Sequence, residues 1–202
     1  MKGNSKRIYG VKINYLLLED FLLNLSDIRK ARKNHEISKE FEKRIMLAVT
    51  QVNGCSLCSY FHTKEALNMG MEKEQIKKIL EGDMGSVPED ETEALIFAQH
   101  YADMIGNYDQ KAWERINAIY GNSRANAILA YIRAIMVGNA QGNIFGAFKS
   151  RLAGRPEANS TFIKEISVIL ADIFIMPFLM SKAILFLAAR GVQNKKTALK
   201  KI

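Results

Sequence analysis

The sequence predicts an all-α protein, and three observations support this. The 202 residues contain only three prolines, runs of β-branched residues are sparse, and apolar residues recur at spacings of three and four. That spacing is typical of amphipathic helices. Apolar residues make up 48% of the chain and charged residues 25%, a globular balance that excludes a disordered chain. We expect a helical bundle with an added apolar helical segment at the C-terminus.

Three segments of different composition are expected along the chain. Residues 1–35 form a basic, helical N-terminal segment, and residues 36–155 form the main helical domain. The stretch 154–160, which begins with Gly154 and Pro156, is typical of a linker. Residues 156–202 follow as apolar helices and a basic tail.

Start and stop signals divide the main domain into short helices. Asn, Gly, Ser and Asp residues stand where caps and turns are needed. The predicted helices are 38–51, a cysteine-bearing helix from 55 to about 68, 72–80, 88 to about 105, 109–121, 124–138, and a stretch that ends near 152 after a bend at 139–143.

The strongest predicted helix start lies near residue 88. Ser86 and Glu89 have the spacing of a capping box, and Pro88 suits the first helical turn. Four acidic residues between 89 and 93 face the positive end of the helix dipole.

The C-terminal segment 166–189 is strongly apolar but interrupted by Asp172, Pro177 and Lys182. Its longest uncharged run, 173–181, is much shorter than the roughly 20 residues that span a bilayer. Pro177 is expected to kink or divide the segment. The prediction is therefore a pair of amphipathic helices that dock on the main domain or on another subunit. A membrane-surface contact is the alternative, and a transmembrane anchor is disfavoured.

The net charge of +8 is concentrated at the two ends of the chain. Residues 1–44 carry eleven basic and six acidic side chains, whereas 45–189 carry thirteen and fifteen, and 190–202 carry five and none. This distribution gives no support to a nucleic-acid groove on the main domain.

Acidic residues interrupt the first apolar stretch, which is unlike a signal peptide. A cytoplasmic protein is expected.

Cys55, Cys58 and His62 form the group that carries chemistry. With only two cysteines, the chain is not a disulfide-stapled secreted scaffold. Spacings of three, four and seven place the three side chains on one helix face. A helix N-terminus and a protonated His62 both favour a thiolate. The pattern predicts a nucleophilic Cys58 with His62 as base or proton relay, and Cys55 placed to close a disulfide.

Three other interpretations of this group stay open. The cysteines can be buried small apolar residues, and His62 an ordinary hydrogen-bonded side chain. The group can also hold a metal, although a closed zinc site needs a fourth ligand such as His35 or His100. Thiol redox chemistry without metal or cofactor is the favoured prediction.

Residues 47–62, with Ala66, Gly70 and the short helix after them, resemble the carboxymuconolactone decarboxylase superfamily, specifically its AhpD-like alkylhydroperoxidase branch. Weaker similarity continues through 93–102 and 124–143. The resemblance implies an all-helical fold that assembles as trimers or hexamers. It also implies that Cys58 is the peroxidatic residue and passes through a sulfenic acid, that Cys55 donates a proton and resolves it, and that His62 relays protons.

The resemblance further implies a hydroperoxide or disulfide substrate and a thiol or lipoyl-type reductant. The sequence departs from the family at two positions. The family's relay glutamate is replaced by Lys43, with Glu42 beside it as a candidate relay group about 100° away on an ideal helix. Leu57 stands where the family often has His or Tyr. A lactone decarboxylase of the same fold, and a non-catalytic metal-binding or redox-sensing module, are the alternative functions.

Overall fold

The computed structural model describes residues 5–199, and their side chains through residue 189. This part of the chain forms eight helices and no strand, so the predicted all-α class is confirmed. The helices are α1 (Val11–Leu23), α2 (Leu25–Lys33), α3 (Lys39–Asn53), α4 (Ser56–Asn68), α5 (Lys73–Glu81), α6 (Glu89–Asp103), α7 (Gln110–Leu152) and α8 (Phe162–Leu199).

Helix α3 lies at the centre of the bundle and packs against α4, α5, α6 and α7. Its apolar residues, including Phe41, Ile45 and Val49, are almost completely buried. They meet Ile128 and Ile132 of α7 in the main core. Full burial of each such side chain contributes about 1.5–3 kcal/mol, so α3 and α7 form a rigid support for the helix that carries the cysteines.

The ends of α3 form as the sequence predicts. The Ser38 hydroxyl accepts a hydrogen bond from the Phe41 amide at 3.1 Å, as an N-cap should. Gly54 ends the helix with φ of +65°, a conformation that favours glycine. The chain therefore turns sharply just before Cys55.

The predicted capping box at Ser86 is wrong. Pro88 is the N-cap of α6, and the buried Ser86 hydroxyl has no hydrogen-bond partner among the described residues. The proline backbone has an extended ψ of 135°, so the first helical residue is Glu89 rather than Pro88. Ser86 instead accepts a bond at its carbonyl from the Gln75 side chain, at 2.6 Å.

Helix α7 breaks at one of the two predicted places. Asp109 caps its start by accepting from the Lys111 amide, and Gly121 interrupts it with φ of +71°. The bend predicted at 139–143 is wrong, because α7 stays helical to Leu152. The polar residues of that stretch face inward: Asn139 and Asn143 are buried and hydrogen-bond with α3 residues.

The C-terminal segment is one continuous helix rather than the predicted pair. Helix α8 passes through Pro177 without ending, and the Ser181 hydroxyl donates to the Pro177 carbonyl at 2.9 Å. Val168 before the proline and Leu179 and Ala183 after it are buried. Since α8 packs on α1 and α7, contacts on both sides of Pro177 hold the helix together.

The ends of the predicted N-terminal segment and basic tail, residues 1–4 and 200–202, lie outside the described residues.

A buried ion pair ties α3 to α6. The Arg44 guanidinium donates two hydrogen bonds to the Glu91 carboxylate, at 2.5 and 2.6 Å. Both side chains are at most one-tenth exposed. A two-pronged pair of this kind has fixed geometry, so it sets how α6 lies against the helix that leads into Cys55.

Candidate active site

The two cysteines lie at the N-terminus of α4. Cys55 is the N-cap residue, and its Sγ accepts a hydrogen bond from the Cys58 amide at 3.2 Å. The two side chains form a disulfide, with the Cα atoms 5.3 Å apart. Cys55 thus lies one position earlier than the first turn that the sequence predicts, at the end of the helix where amide groups favour a negative sulfur.

The two sulfurs differ in access to solvent. Cys55 is 1% exposed, whereas Cys58 is partly exposed. On the outer face of α4, Leu57, Tyr60 and Phe61 are exposed. A molecule that approaches from solvent can therefore reach Cys58 but not the buried Cys55.

The backbone of α7 forms the inner wall of the cysteine pair. A Cβ atom at Gly142 would lie 2.7 Å from the Cys55 sulfur and 3.0 Å from the Cys58 sulfur. The carbonyl oxygen of Gly138, one turn earlier, is 3.6 Å from the Cys58 sulfur. The close approach of α7 to the disulfide therefore requires glycine at position 142.

We expect Gly142→Ala to destabilise the oxidised protein by about 1–3 kcal/mol, because the added methyl overlaps two sulfurs that their bond holds in place. Thermal unfolding of the oxidised protein measures this change. Gly146→Ala is the matched control. It lies one turn later with no atom within 4 Å of the new Cβ, so the higher helix propensity of alanine should stabilise it by up to about 1 kcal/mol. Equal effects of the two substitutions would contradict the packing argument.

His62 lies one turn after Cys58 on α4 and is 9% exposed. Its Nδ1 atom is buried and makes no hydrogen bond within the described residues. This Nδ1 atom lies 3.4 Å from the carboxylate oxygen Oε2 of Glu65. The structure therefore places Cys58 and His62 on α4 with Cys55 at its N-cap, and adds a carboxylate from the next turn.

Lys43 reaches the same carboxylate from α3. Its buried Nζ donates to Glu65 Oε2 at 2.8 Å and lies 3.7 Å from Glu42 Oε1. The oxygen of Glu65 that Lys43 binds is thus also the one beside His62. The carboxylate of Glu42 lies beside Lys43 and interacts with Tyr131, whereas the carboxylate beside His62 belongs to Glu65.

Burial and charge set the protonation of this group. Burial lowers the pKa of His62, and the positive charge of Lys43 lowers it further, while Glu65 acts in the opposite direction with a smaller effect. Partial burial opposes ionisation of Glu65, but the hydrogen bond and charge of Lys43 outweigh it and hold the pKa of that carboxyl below its usual range. At neutral pH the group contains a neutral imidazole, a carboxylate and an ammonium.

One protein-family model matches part of the chain. Residues 20–85 match the model of the carboxymuconolactone decarboxylase family. No curated protein and no solved structure gives a significant match. The superfamily resemblance is confirmed, and the alkylhydroperoxidase branch stays a prediction.

The carboxymuconolactone decarboxylase segment contains every residue of the candidate site on α3 and α4. It begins within α1 and ends shortly after α5. The glycines that wall the disulfide belong to α7, which lies outside the matched residues. The site is therefore built from the family segment and from a helix that follows it.

Sequence reasoning identified the cysteines and the histidine but missed Glu65 and Gly142. The sequence contained a signal for Glu65, because this residue follows His62 by three positions and so lies on the same side of a helix. Gly142 had none, because only the packing of α7 on α4 shows which glycine meets the sulfurs.

The metal alternative gains no ligand set from the structure. Among the described residues, no group of three or more His, Cys, Asp or Glu side chains is placed to hold a metal ion. His35, one of the two candidate fourth ligands, lines a cavity of about 420 Å³ with Glu42, Lys43 and Tyr131, whereas His100 lies on α6. Operation without metal or cofactor stays a prediction.

Proposed function

We propose that the chain is a thiol-dependent oxidoreductase that reduces hydroperoxides, or exchanges disulfides, through Cys55 and Cys58. The observation that carries the proposal is the accessibility of the pair. A partly exposed Cys58 is joined to a buried Cys55 at a helix N-terminus, and His62 lies one turn further along. This is the arrangement that one attacking and one resolving sulfur need.

In the first step, the Cys58 thiolate attacks the terminal oxygen of the hydroperoxide, and the O–O bond breaks. The sulfur is oxidised to a sulfenic acid, and the alkoxide leaves and takes up a proton to become an alcohol. In the second step, the Cys55 thiol attacks the sulfenic sulfur, water leaves, and the disulfide forms. A dithiol reductant of thiol or lipoyl type then reduces the disulfide and is itself oxidised.

Neutral His62 accepts the thiol proton of Cys58 and returns it to the leaving oxygen. Glu65 supports this role because its carboxylate stabilises the imidazolium that forms for a moment. Burial, and after it the charge of Lys43, lower the pKa of His62 and so keep the resting imidazole neutral. The pair of Lys43 and Glu65 thereby takes the place of the single relay glutamate that the family resemblance places at position 43. Homo-oligomeric assembly and a cytoplasmic location are part of the same proposal.

Mass spectrometry of the thiols before and after one equivalent of hydroperoxide tests this function. We expect the peptide that contains Cys55 and Cys58 to lose two hydrogens, and the hydroperoxide to be converted to its alcohol. Persistent free thiols would reject the proposal. Turnover of a lactone that thiol alkylation does not inhibit would instead indicate the decarboxylase alternative.

The pH profile of thiol reactivity tests the Lys43 and Glu65 roles. Because its pKa is lowered, His62 is neutral down to a pH below its ordinary value of about 6.5. Lys43→Met removes a positive charge, so the pKa of His62 should rise. In a plot of the Cys58 alkylation rate of the reduced protein against pH, we expect the acidic limb to move to higher pH. Glu65→Gln removes a negative charge, so the limb should move to lower pH.

The exposed pair of Glu74 and Lys77 supplies matched controls. These side chains lie 3.9 Å apart on α5 and are more than half exposed, so Glu74→Gln and Lys77→Met should leave the limb unchanged. Imidazole NMR signals give a second measurement, with His100 on α6 as the internal reference. Shifts of Lys43→Met and Glu65→Gln in the same direction would contradict the assigned electrostatics.

A further inference from the structure

Helix α8 presents an apolar face to solvent. Its outward side chains include Ile173, Phe174, Phe178, Ile184 and Leu185, and Phe174 is 75% exposed. An 18-residue window within Phe162–Ala189 has a mean hydropathy of 2.0, and only 17% of that window is buried. By length and composition it could cross a membrane. Folded soluble proteins rarely expose a continuous apolar surface of this extent, so the face needs an occupant.

The charged residues of α8 between 165 and 189 pair with the helical body. Glu165 accepts two hydrogen bonds from Arg151, at 2.7 and 2.8 Å. Asp172 accepts from Asn14 at 2.5 Å, and Lys182 donates to Glu19 at 2.6 Å. These contacts fix one side of α8 to α1 and α7 and leave an uncharged side facing outward.

The sequence that follows this apolar face is strongly basic. Residues 190–202 contain five Lys and Arg and no Asp or Glu. A basic residue near an anionic lipid surface gains about 1 kcal/mol. A second copy of the chain seated on α8 would cover the apolar face, but its own residues 190–202 carry no acidic group to neutralise the basic run. An anionic bilayer satisfies both the apolar face and the charge that follows it.

We propose that α8 is a membrane-surface helix that seats the protein on an anionic bilayer. Its outward phenylalanines enter the boundary between headgroups and acyl chains, and the basic run lies on the headgroups. The helix does not span, because spanning would break the contacts of Asp172 and Lys182 with the body and place both charges in hydrocarbon. Such charges cost about 2.5–3.5 kcal/mol each even on the lowest scale.

Cosedimentation of the full chain with vesicles tests the proposal. We expect binding to phosphatidylcholine vesicles that contain phosphatidylserine, weaker binding to phosphatidylcholine alone, and release of bound protein by high salt. The double variant Phe174→Glu with Phe178→Glu should weaken binding by about tenfold or more. Both positions are solvent-exposed, so the variant should keep the unfolding temperature of the parent protein.

Ile96→Glu is the matched control, because Ile96 is an exposed apolar residue on α6, which packs on α3 and α7. It should bind vesicles like the parent protein. Protein that stays in the membrane after both high salt and alkaline carbonate would overturn the surface orientation in favour of a spanning helix. A dimer that the double variant dissociates, without vesicle binding by the parent protein, would overturn the lipid assignment in favour of a second copy.

Discussion

Under the proposed thiol mechanism, we expect Cys58→Ser to lower hydroperoxide turnover to the uncatalysed background, a loss of about three orders of magnitude or more. The serine hydroxyl is a far weaker nucleophile than a thiolate and cannot be oxidised to a sulfenic acid. The measurement is consumption of hydroperoxide with a dithiol reductant, followed by mass spectrometry. We also expect no intramolecular disulfide in this variant.

Cys55→Ser is the informative comparison. Cys58 is the more exposed sulfur, so Cys55→Ser should keep one round of peroxide attack and accumulate a sulfenic acid at Cys58, which a sulfenic-acid trapping reagent detects. Normal turnover by Cys58→Ser would reject the thiol mechanism. The opposite outcome would exchange the roles of the two residues. In that case Cys58→Ser would form a sulfenic acid at Cys55, and Cys55→Ser would form none at Cys58.

Arg44→Met destabilises the fold by about 3–5 kcal/mol. The substitution leaves the Glu91 carboxylate buried without the two hydrogen bonds that Arg44 donates. A loss of this size is a large part of the 5–15 kcal/mol that typically separates folded from unfolded protein. Denaturant unfolding at neutral pH, followed by circular dichroism, measures it.

The double variant Arg44→Met with Glu91→Leu separates the charge from the packing. Removing both partners leaves no unpaired charge, so we expect most of the lost stability to return. Its thiol reactivity should also stay near that of the parent protein, because the Arg44 and Glu91 pair orients α6 and contacts neither sulfur. A single variant as stable as the parent, or a double variant no better than the single, would contradict this account.

Local signals predicted much of the fold, because the chain marks its helix ends with residues of special backbone preference. Ser38, Gly54 and Gly121 act where the sequence places them. The errors came where packing outweighed such signals. Pro177 stays inside a helix because buried contacts lie on both sides of it, and residues 139–143 stay helical because their polar side chains bond to α3.

The sequence predicted those residues of the candidate site that lie on α4 or at its N-cap. Cys55, Cys58 and His62 follow from spacing alone, because they lie on one helix face. The partner of Lys43 could not be found this way, since it depends on how α3 lies against α4. Glu42 lies next to Lys43 in sequence, but helix geometry turns its carboxylate toward Tyr131, and α4 supplies the carboxylate beside His62.

The glycine wall of α7 has a consequence for how substrate preference can change. A site lined by side chains can be altered from every direction, but here one side of the disulfide is bare main chain that tolerates no side chain at position 142. Variation is left to the outer face of α4, where Leu57, Tyr60 and Phe61 are exposed. If the proposed thiol chemistry holds, a change of substrate preference should therefore appear first at exposed positions of α4 rather than on α7.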